Sequence, residues 1–270
     1  VLGFLPSDHS GANDILRLCG RSMAFGDDRT MAPYRNDHRV EIHGTGYSKI
    51  IFGADTAGKW EKHLDLMVES IAANGGRACV NASAVWTPSH ADAIAEGIAR
   101  KFVTMKPRPW DDPNCEISAF AKPEVAEAIN NMIDEALKTP GARDVTQEMR
   151  GTPRLVKDGR IAYLLPTVVR CESPEHPLAN KEFLFPFASV IECPQDDILH
   201  RIGYTLAASV LTDDSGFVAD SMACSHIERL NVGPLPTNRL TWDQPHEGNL
   251  FTHLYKQRAF NKAELSGSKP

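Results

Sequence analysis

The stretch NGGRACVNASAVWTPSH, residues 74–90, decides how the chain is parsed, because a helix stop, a lone cysteine, a strand and a helix start follow one another in it. Just before it, Trp60, Leu64, Met67, Val68 and Ile71 form one apolar stripe at helical spacing over 59–73. Asn74, Gly75 and Gly76 then supply the residue types that adopt left-handed backbone and end helices. ASAVWT (82–87) reads as a buried strand, and Ser89 with Asp92 resembles a capping signal for a helix through Ile94, Ile98 and Phe102.

The same alternation extends in both directions. Upstream, VLGFL (1–5) reads as a strand, Ser7 or Asp8 as the cap of a helix starting near Gly11 and carrying Ala12, Ile15, Leu16, Cys19 and Met23, and RVEIHG (39–44) and YSKIIFG (47–53) as strands. Downstream, the Pro-, Asp- and Asn-rich 107–122 reads as a loop, 123–138 as a helix, 160–170 and 185–193 as strands, 196–204 as a helix, 207–212 as a strand and 215–227 as a helix. The last forty residues, with Pro234, Pro236 and Pro245, read as irregular. Strands alternating with helices over most of the chain predict an α/β fold with a largely parallel sheet flanked by helices.

With 270 residues, 42% of them apolar and 24% charged, the chain has material for a sizeable core and one or two domains. A formal charge of −6 gives no electrostatic reason to expect nucleic acid or an anionic membrane, which both attract basic faces. There is no run of eighteen apolar residues and no signal-peptide pattern at the start, so a protein of the cytoplasm is expected. Six dispersed cysteines (19, 79, 115, 171, 193 and 224) without a CxxC pair suit reduced thiols. The chain opens at Val1, inside a strand-like run and without an initiator Met, which suits a piece of something longer.

Two residues stand out chemically. A cysteine outside a disulfide is most often a small buried filler. Cys79, however, follows paired glycines that allow a close backbone approach, and a cysteine near backbone amides free of internal partners has its thiolate stabilised. Glu41 sits at the end of a predicted strand against Gly44 and Gly46; most such glutamates are simply solvated, yet ligands gather at the ends of parallel strands, where a carboxylate can serve as a base. The near pairs Cys171 and His176, Cys193 and His200, and Cys224 and His226 lack zinc-motif spacing, so no metal is expected. GxSxG, Walker A and GxGxxG motifs are absent.

With Cys79 and Glu41 in place, an ordered set of landmarks resembles the C-terminal half of the aldehyde dehydrogenase superfamily. FLPSDHSG (4–11) resembles its FTGSTxxG turn, VEIHG (40–44) its ELGG segment and NGGRACVNAS (74–83) its NxGQxC stretch. LLPTVV (164–169), KEFLFPFASVIEC (181–193) and IGYTLAASVLTDD (202–214) resemble, in order, its xEPTV, EEIFGPVLSV and NxTxYGLAAxVxT segments. The resemblance implies Cys79 as nucleophile, Glu41 as general base, Ser7 at the cofactor pyrophosphate, Glu182 on the nicotinamide ribose, and Leu184 where an aromatic usually packs on nicotinamide. Asp8 beside Ser7, Leu184, Phe185 in place of glycine, and His43 in place of the first glycine after the ELGG leucine position are departures from the pattern.

The resemblance further implies oxidation of an aldehyde to a carboxylic acid with NAD or NADP, through a cysteine thiohemiacetal and thioester, in a homo-oligomer. The expected partition is 1–40 as the end of the cofactor-binding domain, 41–230 as the catalytic domain and 231–270 as a contact segment. The N-terminal half of such a protein carries most of the dinucleotide site, so this chain alone is expected to be inactive. A coenzyme A-acylating relative, or a non-catalytic scaffold of the same fold, remain the alternatives; Glu41 argues against the former, since resolution by a thiol needs no water-activating carboxylate.

Overall fold

The structure is a computed structural model and describes residues 3, 9–109, 111–241, 243, 244, 250–255 and 259–261. Two compact units emerge, one drawn from Val1–Gly44 and Glu247–Pro270, the other from Thr45–His246.

In the smaller unit, α1 (His9–Leu18) leads into β1 (Ser22–Phe25), the short α2 (Asp28–Met31) and β2 (Val40–His43), with a further helix at Leu250–Tyr255. The helix expected through Met23 ends at Leu18, because Gly20 disfavours its continuation and Ser22–Phe25 finds a strand partner. β1 and β2 run parallel, with Met23 opposite Glu41 and Phe25 opposite His43. Ala24, Met31 and Val40 are buried together, with Leu16, Tyr34 and Ile42 packed on them. The strand expected at 1–5 falls outside the described residues apart from residue 3.

The larger unit is built on β3 (Ser48–Phe52), β4 (Ala82–Thr87), β5 (Ala142–Asp144), β6 (Leu155–Asp158), β7 (Ile161–Leu164), β8 (Thr167–Cys171), β9 (Phe187–Glu192), β10 (Thr205–Leu211) and β11 (Ile227–Val232). Seven of these form one sheet in the order β11-β10-β3-β4-β9-β8-β5. Every neighbouring pair in it is parallel except β5 with β8. This is the mixed α/β architecture with a mostly parallel sheet that the alternation predicts.

Apolar residues cover both faces, which is why the strands read as continuous apolar runs. Ile50, Phe52, Val85 and Val190 point into one layer with Met67 and Ile71 of α4 (Leu64–Ala72, preceded by the short α3, Ala54–Ala57) and Ile94, Ile98 and Phe102 of α5 (Ala91–Phe102). Ile51, Trp86, Val169, Ile191 and Val210 point into the other, with Ala126, Ile129 and Ile133 of a helix at Pro123–Leu137, Ile198 of Gln195–Arg201 and Phe217 of Ser215–Ala223. The period-two reversal of side chains along each strand assigns the layers.

Several sequence expectations change in detail. The stripe over 59–73 begins as a 3-10 turn at Trp60–His63 before becoming α-helical. The single strand expected at 160–170 breaks at Pro166, whose ring nitrogen cannot donate to a ladder; β7 instead pairs with β6 as a separate antiparallel hairpin. The helix expected through Ile227 stops at Ala223, and Ile227–Val232 adds an edge strand to β10. At the start of α5 the capping position is His90, left-handed at φ 66° and without a side-chain cap of its own. Glu192, at the end of β9, accepts from the Ala91 amide at 3.2 Å instead.

Candidate active site

Cys79 lies between the left-handed turn that ends α4 and the first residue of β4. Asn74 (φ 54°), Gly75 (φ 67°) and Gly76 (φ 67°) are successive left-handed residues, as their types predict. A Cβ on Gly76 would stand 2.4 Å from the Pro186 nitrogen, so only glycine lets this turn lie against the segment before β9. Arg77 then ties the turn down, donating to the carbonyls of Leu184 (3.1 Å), Ser118 (3.1 Å) and Ala119 (2.9 Å) with its guanidinium 4.4 Å from the Phe120 ring centre. Burial lowers the Arg77 pKa from its ordinary value.

Asn81 organises the cysteine loop from within. Its Oδ1 accepts from the Ala78 amide at 2.8 Å, and its Nδ2 donates to the carbonyls of Ser70 (3.1 Å) and Ala73 (3.0 Å) at the end of α4. Cys79 itself is half-buried, against Val80, Leu206 and Ala207.

Across from the cysteine loop runs the segment leading into β3. Ser48 Oγ donates to the Cys79 carbonyl at 2.8 Å while accepting from the Ala207 amide at 3.2 Å. Gly46 passes so close that an added Cβ would fall 1.9 Å from the Cys79 carbonyl oxygen. Tyr47 holds a left-handed φ of 48°, costly for a bulky residue, and two charged side chains grip its peptide groups. Glu182 accepts from the Tyr47 amide at 2.6 Å and the Gly46 amide at 3.4 Å, the charge-assisted kind of bond. Lys49 Nζ donates to the carbonyls of Tyr47 (2.6 Å) and Tyr204 (3.0 Å) and to Thr205 Oγ1 (3.0 Å). Burial pushes Lys49 down to about 7, with Glu182 opposing that shift.

The structure thus brings Cys79 and Glu182 onto the same short segment, 46–48, from positions far apart in the sequence. They meet at the amino ends of β3, β4, β9 and β10, the opposite edge from the carboxyl ends where ligands of open α/β sheets usually gather. Leu184, two residues after Glu182, is 55% exposed. Lys49, Ser48 and Asn81 escaped the sequence reading, although a lysine inside the apolar run SKIIF was a visible signal for one of them.

Glu41 belongs to the smaller unit and lies inside β2 rather than at its end. Nor is it simply solvated: its Oε1 is 3.1 Å from His43 Nε2 and its Oε2 is 3.1 Å from His253 Nδ1. Ser7 lies outside the described residues.

Burial pushes the Cys171 thiol up to about 12, and its sulfur lies 3.8 Å from His176 Nδ1. Among the described residues no group of three His, Cys, Asp or Glu could hold a metal ion, and no helix is long and apolar enough to cross a membrane.

A cysteine presented from a glycine turn, with an anchoring carboxylate at its flank, invites comparison with known families. The model of the aldehyde dehydrogenase family matches residues 30–251. The chain belongs to the aldehyde dehydrogenase family. Solved structures agree in fold. Lactaldehyde dehydrogenase from Escherichia coli superposes with a TM-score of 0.70 at 14% identity, over 84% of this chain and 48% of that one. A putative methylmalonate-semialdehyde dehydrogenase from Sinorhizobium meliloti, solved with NAD, gives 0.69 at 14% identity, over 84% and 48%. A glyceraldehyde-3-phosphate dehydrogenase from Methanocaldococcus jannaschii, solved with NADP, gives 0.65 at 13% identity, over 82% and 47%. The chain therefore spans about half the length of these family members. Among curated sequences none matches it.

Proposed function

We propose that this chain is the catalytic part of an aldehyde dehydrogenase that oxidises an aldehyde to a carboxylic acid with NAD or NADP, in a homo-oligomer of the cytoplasm. In this reading the catalytic domain runs over 41–230, the residues before it close the cofactor-binding domain, and 231–270 makes contacts. The observation that carries it is the placing of Cys79. The thiol is half-buried rather than enclosed, on a loop fixed by Asn81, Ser48 and the left-handed turn, as a nucleophile needs. Cys171, pushed up to about 12 by burial, shows what a purely structural thiol in this chain looks like.

Glu182 and Leu184 fit a dinucleotide to the extent of a fixed acceptor carboxylate beside an exposed apolar side chain. When bound, the dinucleotide takes up the hydride of the oxidation. The thiolate of Cys79 attacks the aldehyde carbon, forming a C–S bond and an alkoxide. After oxidation the same sulfur holds an acyl group as a thioester. Glu41 accepts a proton from water, whose oxygen bonds to the acyl carbon as the C–S bond breaks and the thiolate returns. Covalent capture divides one difficult step into two easier ones.

In the native protein, Cys79→Ala should abolish the burst of reduced cofactor, whereas Glu41→Gln should keep the burst and stall acid release. A burst that survives loss of Cys79 would sink the assignment. Acid released without any added thiol separates this reading from a coenzyme A-acylating one.

A further inference from the structure

β2 presents alternate faces. Val40 and Ile42 enter the small core with Ala24 and Met31, while Glu41 and His43 point to the other side. On that side the parallel register sets Phe25 opposite His43, and the two rings stack at 4.7 Å with 20° between their planes. His43 Nε2 lies 3.1 Å from Glu41 Oε1. From the helix Leu250–Tyr255, His253 brings Nδ1 to 3.1 Å from Glu41 Oε2 and Nε2 to 2.9 Å from the Ser22 carbonyl.

That last contact fixes a proton. A carbonyl oxygen only accepts, so Nε2 carries the hydrogen and donates to Ser22. The contact between Nδ1 and Oε2 then needs one shared proton, and Glu41 can take a further proton from water only while the shared one sits on the ring. His253 has 9% side-chain exposure, so little water competes for this bond. The titratable groups that the described residues set against Glu41 are His43, from its own strand, and His253; β1 contributes Ser22, Met23, Ala24 and Phe25, none of them charged.

We propose that His253 is a positioning residue for Glu41, holding the carboxylate at Oε2 through one shared proton and itself anchored on the Ser22 carbonyl. The proposal rests on the reading of Glu41 as the base that releases the acid. A glutamate has three rotatable side-chain bonds, and fixing one oxygen while the other meets His43 removes that freedom before water is activated. Supporting bonds of this kind typically matter by about ten- to a hundredfold in rate.

The test separates the two half-reactions in the native protein. His253→Leu should leave the rate and size of the cofactor burst unchanged, because in this reading Glu41 enters only after the thioester has formed, while steady-state acid release falls about tenfold or more. His253→Gln, whose amide can still donate to Oε2, should recover most of that loss. A burst and an acid release that fall together by the same factor in both variants would reveal a merely structural role and overturn the proposal, as would an unchanged acid release in His253→Leu. If Glu41→Gln releases acid at the wild-type rate, the assignment of the base fails. If Glu41→Gln stalls while His253→Leu does not, only the positioning role fails.

Discussion

Gly46 shows how tightly the cysteine loop is built. Its missing Cβ is what lets the Cys79 carbonyl reach Ser48 Oγ at 2.8 Å, since a methyl group there would overlap that oxygen at 1.9 Å. Gly46→Ala should cost about 3 kcal/mol in chemical denaturation and shift the rate at which iodoacetamide alkylates Cys79, because backbone rather than a flexible side chain must give way. Unchanged stability and unchanged alkylation would show that the two segments are not in contact. Lys49 makes a different kind of prediction. Burial lowers it to about 7, from about 10.4 in an unfolded chain. Above pH 10.4 the lysine is neutral in both states. As pH falls towards 7, the unfolded chain takes up a proton that the folded chain resists, so this group subtracts stability progressively; below 7 both states are charged and the loss is constant. Lys49→Met should therefore gain on the wild type by about 3.5 kcal/mol between pH 10 and pH 7, read from urea denaturation. The variant's absolute stability also carries the loss of three bonds to Tyr47, Tyr204 and Thr205. A stability difference that is flat across this window would contradict the buried setting.

At the scale of elements, the local signals were reliable where each element carries its own periodicity. α4, β4, α5 and the helix Pro123–Leu137 fall where stripe, alternation and Pro or Gly punctuation place them. They were less reliable where a partner far along the chain decides. Ile227–Val232 is a strand because β10 offers it a ladder, and Ser22–Phe25 is a strand because β2 does. The start of α5 makes the same point for a cap: Ser89 and Asp92 are the local signal, yet Glu192 from β9 takes the Ala91 amide. Gly76→Ala belongs to this scale, because the turn it closes joins α4 to β4. With φ at 67° and the Pro186 nitrogen 2.4 Å from the added methyl group, the substitution should cost at least about 2 kcal/mol and loosen the turn, seen as faster exchange of the Ala78 amide. Ala78 protection equal to wild type would argue against that coupling.

For the whole molecule, the two units differ in what they bury. The sheet of the larger unit is covered on both faces, and β4 and β9 are flanked by strands on both sides. Among the described residues, the two-stranded sheet of the smaller unit packs on a core of three buried residues, Ala24, Met31 and Val40. Native-state hydrogen exchange should therefore find the Val85 and Val190 amides opening last, and those of Ala24 and Ile42 opening at markedly lower free energy. Equal protection in the two sets would mean that they unfold as one cooperative body.

Taken alone, the sequence determined the alternation of strands and helices, the left-handed stop before Cys79, and the ordered landmarks of the aldehyde dehydrogenase family. These are properties of spacing over a few residues, or of order along the chain, and need no knowledge of what lies across the fold. Only tertiary structure decided that Glu182 grips the Gly46 and Tyr47 amides, that Lys49 is buried against Tyr47, and that His253 rests on Glu41. In each case the partners are distant in sequence or hidden inside an apolar run. Their pairing arises from the energetic need to satisfy buried amides and charges once the backbones have packed, a need that no local period can announce.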